Sequence, residues 1–524
     1  MKTNLLWSAF AALMMLTACK KADGGEADAA ADAASMEMVE IPEAVSKETT
    51  ADAVQHNTEE YDRIVENDFK DATSNPLSTF SIDVDNASYS NVRRIIESGN
   101  LPEKGAVRIE EFINYFDYNY PQPAGDLPFS VTTEVWNAPW AKDHQLVRIG
   151  LQGKKLDYSS VKPGNLVFLL DTSGSMDDLN KLPLLRDAFM LMVDNLPAGS
   201  RVSIVTYAGS AGLVLPSTAV DEKDKIKEAL RSLQAGGSTA GGEGLELAYK
   251  TAAANFIKGG NNRVILATDG DFNVGVSSRS GLLELIEKNK GNEIFLTICG
   301  FGMGNYKDAT MEEISNWGDG NYFYIDNMKE AKKVFEKELL ANLFVIAKDV
   351  KIQVEFNPEK VQAYRLIGYE NRVMANEDFN DDTKDAGELG AGHRVTALYE
   401  IVPVGVNFEA RKTDKLKYQK PAVSSGNSGD LLTVKLRYKS IGEHKSLLLE
   451  EPVAPVSVTP GNDARFVSAV AGFGMLLRDS KYKGSLTYDM VEDLAKSGMA
   501  GDDDFKEEFI KLVKEAAALS SRKG

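Results

Sequence analysis

Oxygen-bearing side chains occur at three places where the chain leaves an apolar stretch or enters a helix. One set follows the apolar run 166–170, a second side chain lies in the glycine-rich loop 236–242, and a third follows the apolar stretch 263–268. An apolar run that ends in a turn is typical of a buried parallel strand, and ligand sites of open α/β sheets form beyond the carboxyl ends of such strands. Carboxylates and hydroxyls at alternate turn positions suit a hard cation such as Mg²⁺. The candidate metal ligands are Asp171, Ser173, Ser175, Thr239 and Asp269.

The elements that must position these side chains are alternating strands and helices between residues 164 and 345. Apolar runs predict the strands, and apolar residues at helical spacing predict the helices between them. The predicted strands are 166–170, 201–208, 263–268, 293–299 and 321–325, with a short edge strand at 212–215. The predicted helices are 180–196, 223–234, 242–256, 278–290, 308–317 and 328–345. Strands that alternate with helices in this way build a doubly wound, mostly parallel α/β sheet.

The pattern Asp-x-Ser-x-Ser, followed by a threonine in a glycine-rich loop and by an aspartate in a Thr-Asp-Gly turn, resembles the von Willebrand factor type A (VWA) domain and its metal-ion-dependent adhesion site. The resemblance implies that Ser173 and Ser175 bind Mg²⁺ directly, with Mn²⁺ or Ca²⁺ as alternatives. It implies that Thr239 joins them in a high-affinity state, while Asp171 and Asp269 act through water. It further implies a non-enzymatic site in which the cation takes an Asp or Glu carboxylate from a partner protein.

The same residues admit other interpretations, which the sequence supports less well. Asp171 and Ser173 could simply cap the following helix. The loop 236–242 lacks the lysine of a phosphate-binding loop, and Ala240 replaces the final glycine of a Gly-x-Ser-x-Gly nucleophile turn. Asp171 could be a phosphorylated nucleophile, but Ser173 stands where one such phosphotransferase family has a second aspartate. A metal-dependent hydrolase or phosphotransferase is therefore the weakest hypothesis.

The composition argues against several other classes of protein. The chain of 524 residues carries a formal net charge of −19, so it would repel the phosphate backbone of a nucleic acid. The 2 cysteines, Cys19 and Cys299, are too few for a disulfide framework. The 4 histidines are scattered without a His-x-x-x-His pair, which argues against zinc. A chain of this length supports two or three domains with cores of their own.

The N-terminus has the features of a targeting segment. Residues 1–18 place Lys2 ahead of an apolar core that is too short to persist as a membrane-spanning helix, as in a secretory signal. The sequence Leu-Thr-Ala-Cys19 resembles the bacterial lipobox, which implies that Cys19 becomes the lipid-modified N-terminus. Lys20 resembles a signal for outer-membrane sorting. Residues 19–75, rich in Ala, Asp, Glu and Ser, predict a flexible tether.

The predicted α/β domain at 164–345 interrupts a second, β-rich region. Residues 76–163 combine two amphipathic helices with strands, and residues 346–455 contain several alternating strands. Because strands occur on both sides, we expect one β-sandwich-like region into which the α/β domain is inserted. Residues 456–524 are predicted to be helical. The stretch 79–94, TFSIDVDNASYSNVRR, resembles a group of bacterial VWA lipoproteins with characteristic N- and C-terminal flanking regions.

The favoured hypothesis is a lipid-anchored protein of the bacterial cell envelope, in the outer membrane, that binds a partner protein through a metal ion. The expected partners are a protein that presents an Asp or Glu carboxylate, and the membrane itself through the lipid. The alternative hypothesis is a chaperone or assembly factor for an envelope complex that uses the same metal site transiently.

Overall fold

Three β-sheets and their helices form the chain in the computed structural model, which describes residues 59–82, 84–157, 161–238, 241–270, 279–304, 306–408 and 429–523. The strands are β1 (Lys70–Asp71), β2 (Leu77–Ser81), β3 (Phe129–Asn137), β4 (Gln145–Gly153), β5 (Gly164–Asp171), β6 (Arg201–Tyr207), β7 (Ala211–Ala219), β8 (Asn261–Thr268), β9 (Ile294–Gly300), β10 (Tyr322–Tyr324), β11 (Val345–Phe356), β12 (Val361–Ile367), β13 (Val373–Met374), β14 (Gly387–Gly390), β15 (Arg394–Pro403), β16 (Leu432–Lys439) and β17 (Leu447–Val453). The helices are α1 (Ala87–Glu97), α2 (Ile109–Asn114), α3 (Leu182–Asn195), α4 (Lys223–Arg231), α5 (Gly241–Ala254), α6 (Arg279–Lys290), α7 (Asp308–Trp317), α8 (Met328–Lys332), α9 (Leu339–Leu343), α10 (Asn462–Leu477), α11 (Tyr488–Gly498) and α12 (Asp504–Lys523).

The α/β domain is built around β5, a strand buried along its whole length. Its sheet has the order β10-β9-β8-β5-β6-β7, in which β7 alone runs antiparallel to its neighbour. Leu166, Phe168 and Leu170 pack with α3 on one face, while Val167 and Leu169 pack with α5 on the other. Because side chains alternate across a strand, an unbroken apolar run needs cover on both faces. The doubly wound sheet is therefore confirmed.

Two antiparallel sheets form a β-sandwich around a shared apolar core. One has the order β1-β12-β15-β4-β3; the other has the order β13-β2-β11-β16-β17, with β14 paired to β11. Strand β4 precedes the α/β domain and β15 follows it, yet they pair from Arg394 opposite Gln152 to Ile401 opposite Gln145. The core residues come from both sheets, including Phe80, Val147, Ile352 and Tyr399. The insertion of the α/β domain into a β-sandwich is therefore confirmed.

The helices of the two flanks share one core. Phe112 of α2 packs against Phe473 of α10, which in turn packs against Phe509 of α12. Helix α10 is buried on nearly every side, which explains its apolar composition. Among the helices of the described ranges, none is both long enough and apolar enough to cross a bilayer.

Residues 59–75 do not form the flexible tether that the composition of residues 19–75 predicts. Strand β1 pairs antiparallel with β12, and Ala72 is completely buried. Phe69 is only 6% exposed and packs edge-on against the rings of His144 and Tyr482. Strand pairing together with the burial of Phe69 and Ala72 thus orders a segment of polar composition. The remainder of the predicted tether, with residues 1–18, lies outside the described residues.

The continuous helix predicted at 328–345 is divided into α8, a π-helical turn (Lys333–Lys337) and α9. The amide of Glu338 donates to the carbonyl of Lys333 at 2.9 Å, five residues back, which is the π-helical spacing. The Glu338 carboxylate also pairs with the Lys333 ammonium at 2.7 Å. Side chain and backbone of the same two residues therefore hold the wider turn in place.

Candidate metal centre

Asp171 ends β5 at the carboxyl edge of the sheet, and three neighbouring segments fix its buried carboxylate. Its Oδ1 accepts the backbone N–H of Ser173 at 2.9 Å. Its Oδ2 accepts from the hydroxyl of Tyr207 on β6 at 3.2 Å and from that of Thr268 on β8 at 3.3 Å. Burial raises the pKa of Asp171 to about 6, although the hydrogen bonds from Ser173 act in the opposite direction. The carboxylate is therefore held in one orientation before any ligand binds.

The two serines lie side by side at this strand end. Ser173 Oγ and Ser175 Oγ are 3.2 Å apart, with Ser173 only 2% exposed and Ser175 open to solvent. Ser175 belongs to a 3₁₀ turn, Gly174–Asp177, that the buried side chain of Met176 anchors to the core. Neighbouring ligands of an octahedral Mg²⁺ with bonds of about 2.1 Å are about 3 Å apart. The separation of the two hydroxyls therefore suits adjacent positions on one small cation.

The glycine-rich loop that leads to Thr239 is hydrogen-bonded to the serine loop. The amide of Gly174 donates to the carbonyl of Gly237 at 3.0 Å, and the amide of Gly236 donates to the carbonyl of Thr172 at 2.8 Å. Gly237 has φ of +84°, a conformation that favours glycine. Thr239 itself lies outside the described residues, so its place as a ligand stays a prediction.

Asp269 follows β8, next to β5 in the sheet, and is completely buried. Its Oδ2 accepts a hydrogen bond from the ammonium of Lys181 at 3.0 Å. Lys181, at the start of α3, is 5% exposed. Lys181 is not among the residues that the sequence pattern predicts for the site. The feature of the sequence that could have indicated it is its position, between the Asp-x-Ser-x-Ser pattern and the first apolar residue of the next helix.

The arrangement offers oxygen ligands and no softer donor. Within the described ranges, no three or more His, Cys, Asp and Glu side chains are grouped so that they could hold a metal ion. The candidate centre combines two carboxylates with two hydroxyls, a donor set that suits Mg²⁺ or Mn²⁺ better than zinc. The predicted ligands Asp171, Ser173 and Ser175 are thus together, Asp269 follows the adjacent strand, and Cys19 lies outside the described residues.

Comparison with known proteins agrees with this architecture. Residues 165–337 match the family described as von Willebrand factor type A domain, residues 55–148 match the family von Willebrand factor, and residues 341–519 match the family "Uncharacterized protein YfbK, C-terminal". The chain is 40% identical over 473 residues to "Uncharacterized protein YfbK" of Escherichia coli, covering 88% of this chain and 82% of that protein.

Two solved structures show more distant similarity. A von Willebrand factor type A protein from Catenulispora acidiphila is 17% identical, with a TM-score of 0.42 over 76% of this chain and 91% of that one. Proximal thread matrix protein 1 from the mussel byssus, solved with zinc in its MIDAS motif, is 19% identical, with a TM-score of 0.29 over 36% of this chain and 48% of that one. VWA domains generally mediate protein–protein interaction and are typically non-enzymatic. This chain belongs to the YfbK family of proteins with a VWA domain.

Proposed function

We propose that this protein binds a partner protein at the envelope through a divalent cation held at the carboxyl edge of the α/β sheet. The observation that carries the proposal is the pair of serine hydroxyls, 3.2 Å apart, beside a carboxylate that is hydrogen-bonded from two neighbouring strands. The proposed ligand residues are Asp171, Ser173, Ser175, Thr239 and Asp269. The proposed cation is Mg²⁺, with Mn²⁺ or Ca²⁺ as alternatives.

A bound divalent cation supplies a positive charge and a coordination position that an Asp or Glu carboxylate of the partner can fill. The protein supplies the rest of the site. Asp171 is buried and hydrogen-bonded to Ser173 and Tyr207, whereas Ser175 is exposed to solvent. A partner carboxylate would therefore approach past Ser175 and would need no rearrangement of the sheet beneath it.

The test is affinity capture of a partner from the organism's own envelope, with the detergent-solubilised full chain as bait. Capture is performed in Mg²⁺, in EDTA and with Asp171→Ala in Mg²⁺. The matched control is Asp194→Ala, which removes a carboxylate of α3 that pairs with Lys227 and is 47% exposed.

The expected result is a partner retained by the wild type and by Asp194→Ala in Mg²⁺, and lost in EDTA and with Asp171→Ala. Equal retention under every condition would contradict the proposal. It would indicate that the partner binds another surface, such as that of the β-sandwich. A partner recovered only in its unassembled form would favour an assembly factor over a stable adhesion protein.

We further propose that Cys19 carries a lipid that anchors the chain in the outer membrane. The support is the position of Cys19 directly after the apolar core of the signal segment, and Lys20 beside it. The lipid would tether the binding site to the membrane surface through the 39 residues between Cys19 and residue 59, where the described part of the chain begins.

A further inference from the structure

Lys181 brings a positive charge into the site that is proposed to hold a cation. Its ammonium lies 3.0 Å from Asp269 Oδ2 and 3.9 Å from Asp178 Oδ2. The Asp269 side chain is fully buried, whereas the Asp178 side chain is 69% exposed, so solvent weakens the second interaction. The main partner of the ammonium is therefore a proposed metal ligand.

The surrounding backbone is arranged to hold this lysine in place. Its amide donates to the carbonyl of Asp178 at 3.0 Å, and its carbonyl accepts the first helical hydrogen bond of α3, from Leu185, at 2.8 Å. Gly302 lies against the aliphatic part of the side chain, where an added Cβ would be 2.5 Å from Lys181 Cε. A larger residue at position 302 would displace the lysine. The packing around Lys181 therefore determines where its ammonium lies.

Lys181 changes the net formal charge of the proposed centre by one unit. Asp171, Asp269 and Lys181 together carry one net negative charge, and a divalent cation changes it to one net positive charge. Without the lysine the same centre would carry two negative charges when empty and would be neutral with the cation. We propose that Lys181 keeps the cation-loaded site positive, so that the site binds its cation less tightly but binds a partner carboxylate more tightly.

This inference rests on the proposed function, because it assigns Lys181 a role at the same metal centre. The physical reason is that a buried ammonium and a nearby cation repel each other, while both attract the incoming carboxylate. Removal of the ammonium should therefore change the two affinities in opposite directions. A lysine that only stabilises the fold would not produce this opposite pair of changes.

The experiment uses the detergent-solubilised full chain and two probes. Mn²⁺ binding is measured from the electron paramagnetic resonance signal of free Mn²⁺. Acetate binding is measured at saturating Mn²⁺ from the fall in water-proton relaxation as acetate replaces bound water. The variants are Lys181→Met, Lys181→Gln, which retains a donor for Asp269, and Lys181→Arg, which retains the charge. Lys227→Met is the matched control, because Lys227 pairs with Asp194 away from the site.

We expect Lys181→Met and Lys181→Gln to bind Mn²⁺ about tenfold more tightly and acetate about tenfold more weakly than the wild type. Lys181→Arg and Lys227→Met should behave as the wild type. Suppose that Asp171→Ala weakens Mn²⁺ binding, which supports the metal centre. The inference about Lys181 is then wrong if Lys181→Met and Lys181→Gln leave the affinities for Mn²⁺ and acetate unchanged, or weaken both of these affinities. If Asp171→Ala and the wild type bind Mn²⁺ equally, the proposed metal centre itself is wrong, and the role of Lys181 is rejected with it.

Discussion

Arg93 of α1 and Glu508 of α12 form an ion pair at 2.8 Å, although 415 residues separate them along the chain. The Arg93 side chain is completely buried, and it also donates to Asp326 and Glu330, each at 2.8 Å, where the α/β domain ends. One guanidinium therefore joins the N-terminal flank, the α/β domain and the C-terminal helix. Arginine suits this position because its planar fork satisfies several acceptors at once.

Replacement of Arg93 by methionine should destabilise the whole chain. Asp326 and Glu330 would remain buried without their cation, and loss of one partner of a buried pair costs about 3–5 kcal/mol. Urea denaturation of the two proteins measures the difference in the free energy of unfolding. Lys104→Met is the control, because Lys104 and Asp479 form an exposed pair whose loss should cost less than about 1 kcal/mol. Equal effects of the two substitutions would contradict this account.

His393 should make the fold sensitive to acid. Burial, with the nearby charges of Lys333 and Arg394, lowers the pKa of His393 to about 3. Its Nε2 donates to Asn342 Oδ1 at 3.0 Å, because the amide nitrogen of Asn342 is occupied with the carbonyl of Val334. The unfolded chain binds a proton near pH 6.5 and the folded chain does not, so stability falls as the pH drops below 6.5.

From pH 7 to pH 5 this linkage should remove about 2 kcal/mol from the free energy of unfolding. His393→Gln retains a donor for Asn342 and cannot take up the proton, so its stability should fall by about that much less over the same interval. Urea denaturation at the two pH values measures both proteins. Parallel losses in the wild type and the variant would contradict this account, because they would show that folding does not lower the pKa of His393.

Ser173→Ala and Ser175→Ala should each weaken Mn²⁺ binding by at least about tenfold, because each removes one proposed oxygen ligand. Titration of the full chain with Mn²⁺ measures this. Ser232→Ala is the control, since the exposed hydroxyl of Ser232 bonds only to the carbonyl of Ala229 at 2.7 Å in the described structure. Unchanged affinity in both site variants would remove the hydroxyls from the ligand set.

Cys19→Ser should release the protein from the membrane, since the lipid has no other proposed attachment point. Fractionation of cells into soluble and membrane parts measures the distribution of the wild type and the variant. Cys299→Ser is the matched control, because Cys299 is completely buried in the α/β domain. Membrane association of both variants would indicate an anchor other than a lipid on Cys19.

The sequence predicts the α/β domain well because its signals are local. The apolar run before Asp171 gives β5, and helix α7 has the predicted bounds, Asp308–Trp317. The predicted edge strand at 212–215 is β7, which extends over Ala211–Ala219. The proposed ligand residues Asp171 and Ser173 follow from the same local pattern. Their position depends on a strand end and a turn, which neighbouring residues determine.

The features that the sequence did not predict depend on residues far apart in the chain. Strand β1 exists because β12, almost 300 residues later, offers it an edge. Lys181 lies beside the proposed site because Asp269 and Gly302, which follow β8 and β9, contact it. The π-helical turn depends on a lysine–glutamate pair that helical spacing alone does not distinguish from an ordinary surface pair. Each of these features depends on contacts between distant parts of the chain, which the spacing of apolar residues in the sequence does not reveal.

A single residue, Phe344, separates the end of α9 from the start of β11. The other connection between the β-sandwich and the α/β domain, from β4 to β5, consists of residues 154–163. Tension applied to the α/β domain would therefore reach the β-sandwich directly through Phe344. It would enter β11, which is hydrogen-bonded to β2 on one edge and to β16 on the other. The load would be shared by two ladders of hydrogen bonds, one on each edge of β11.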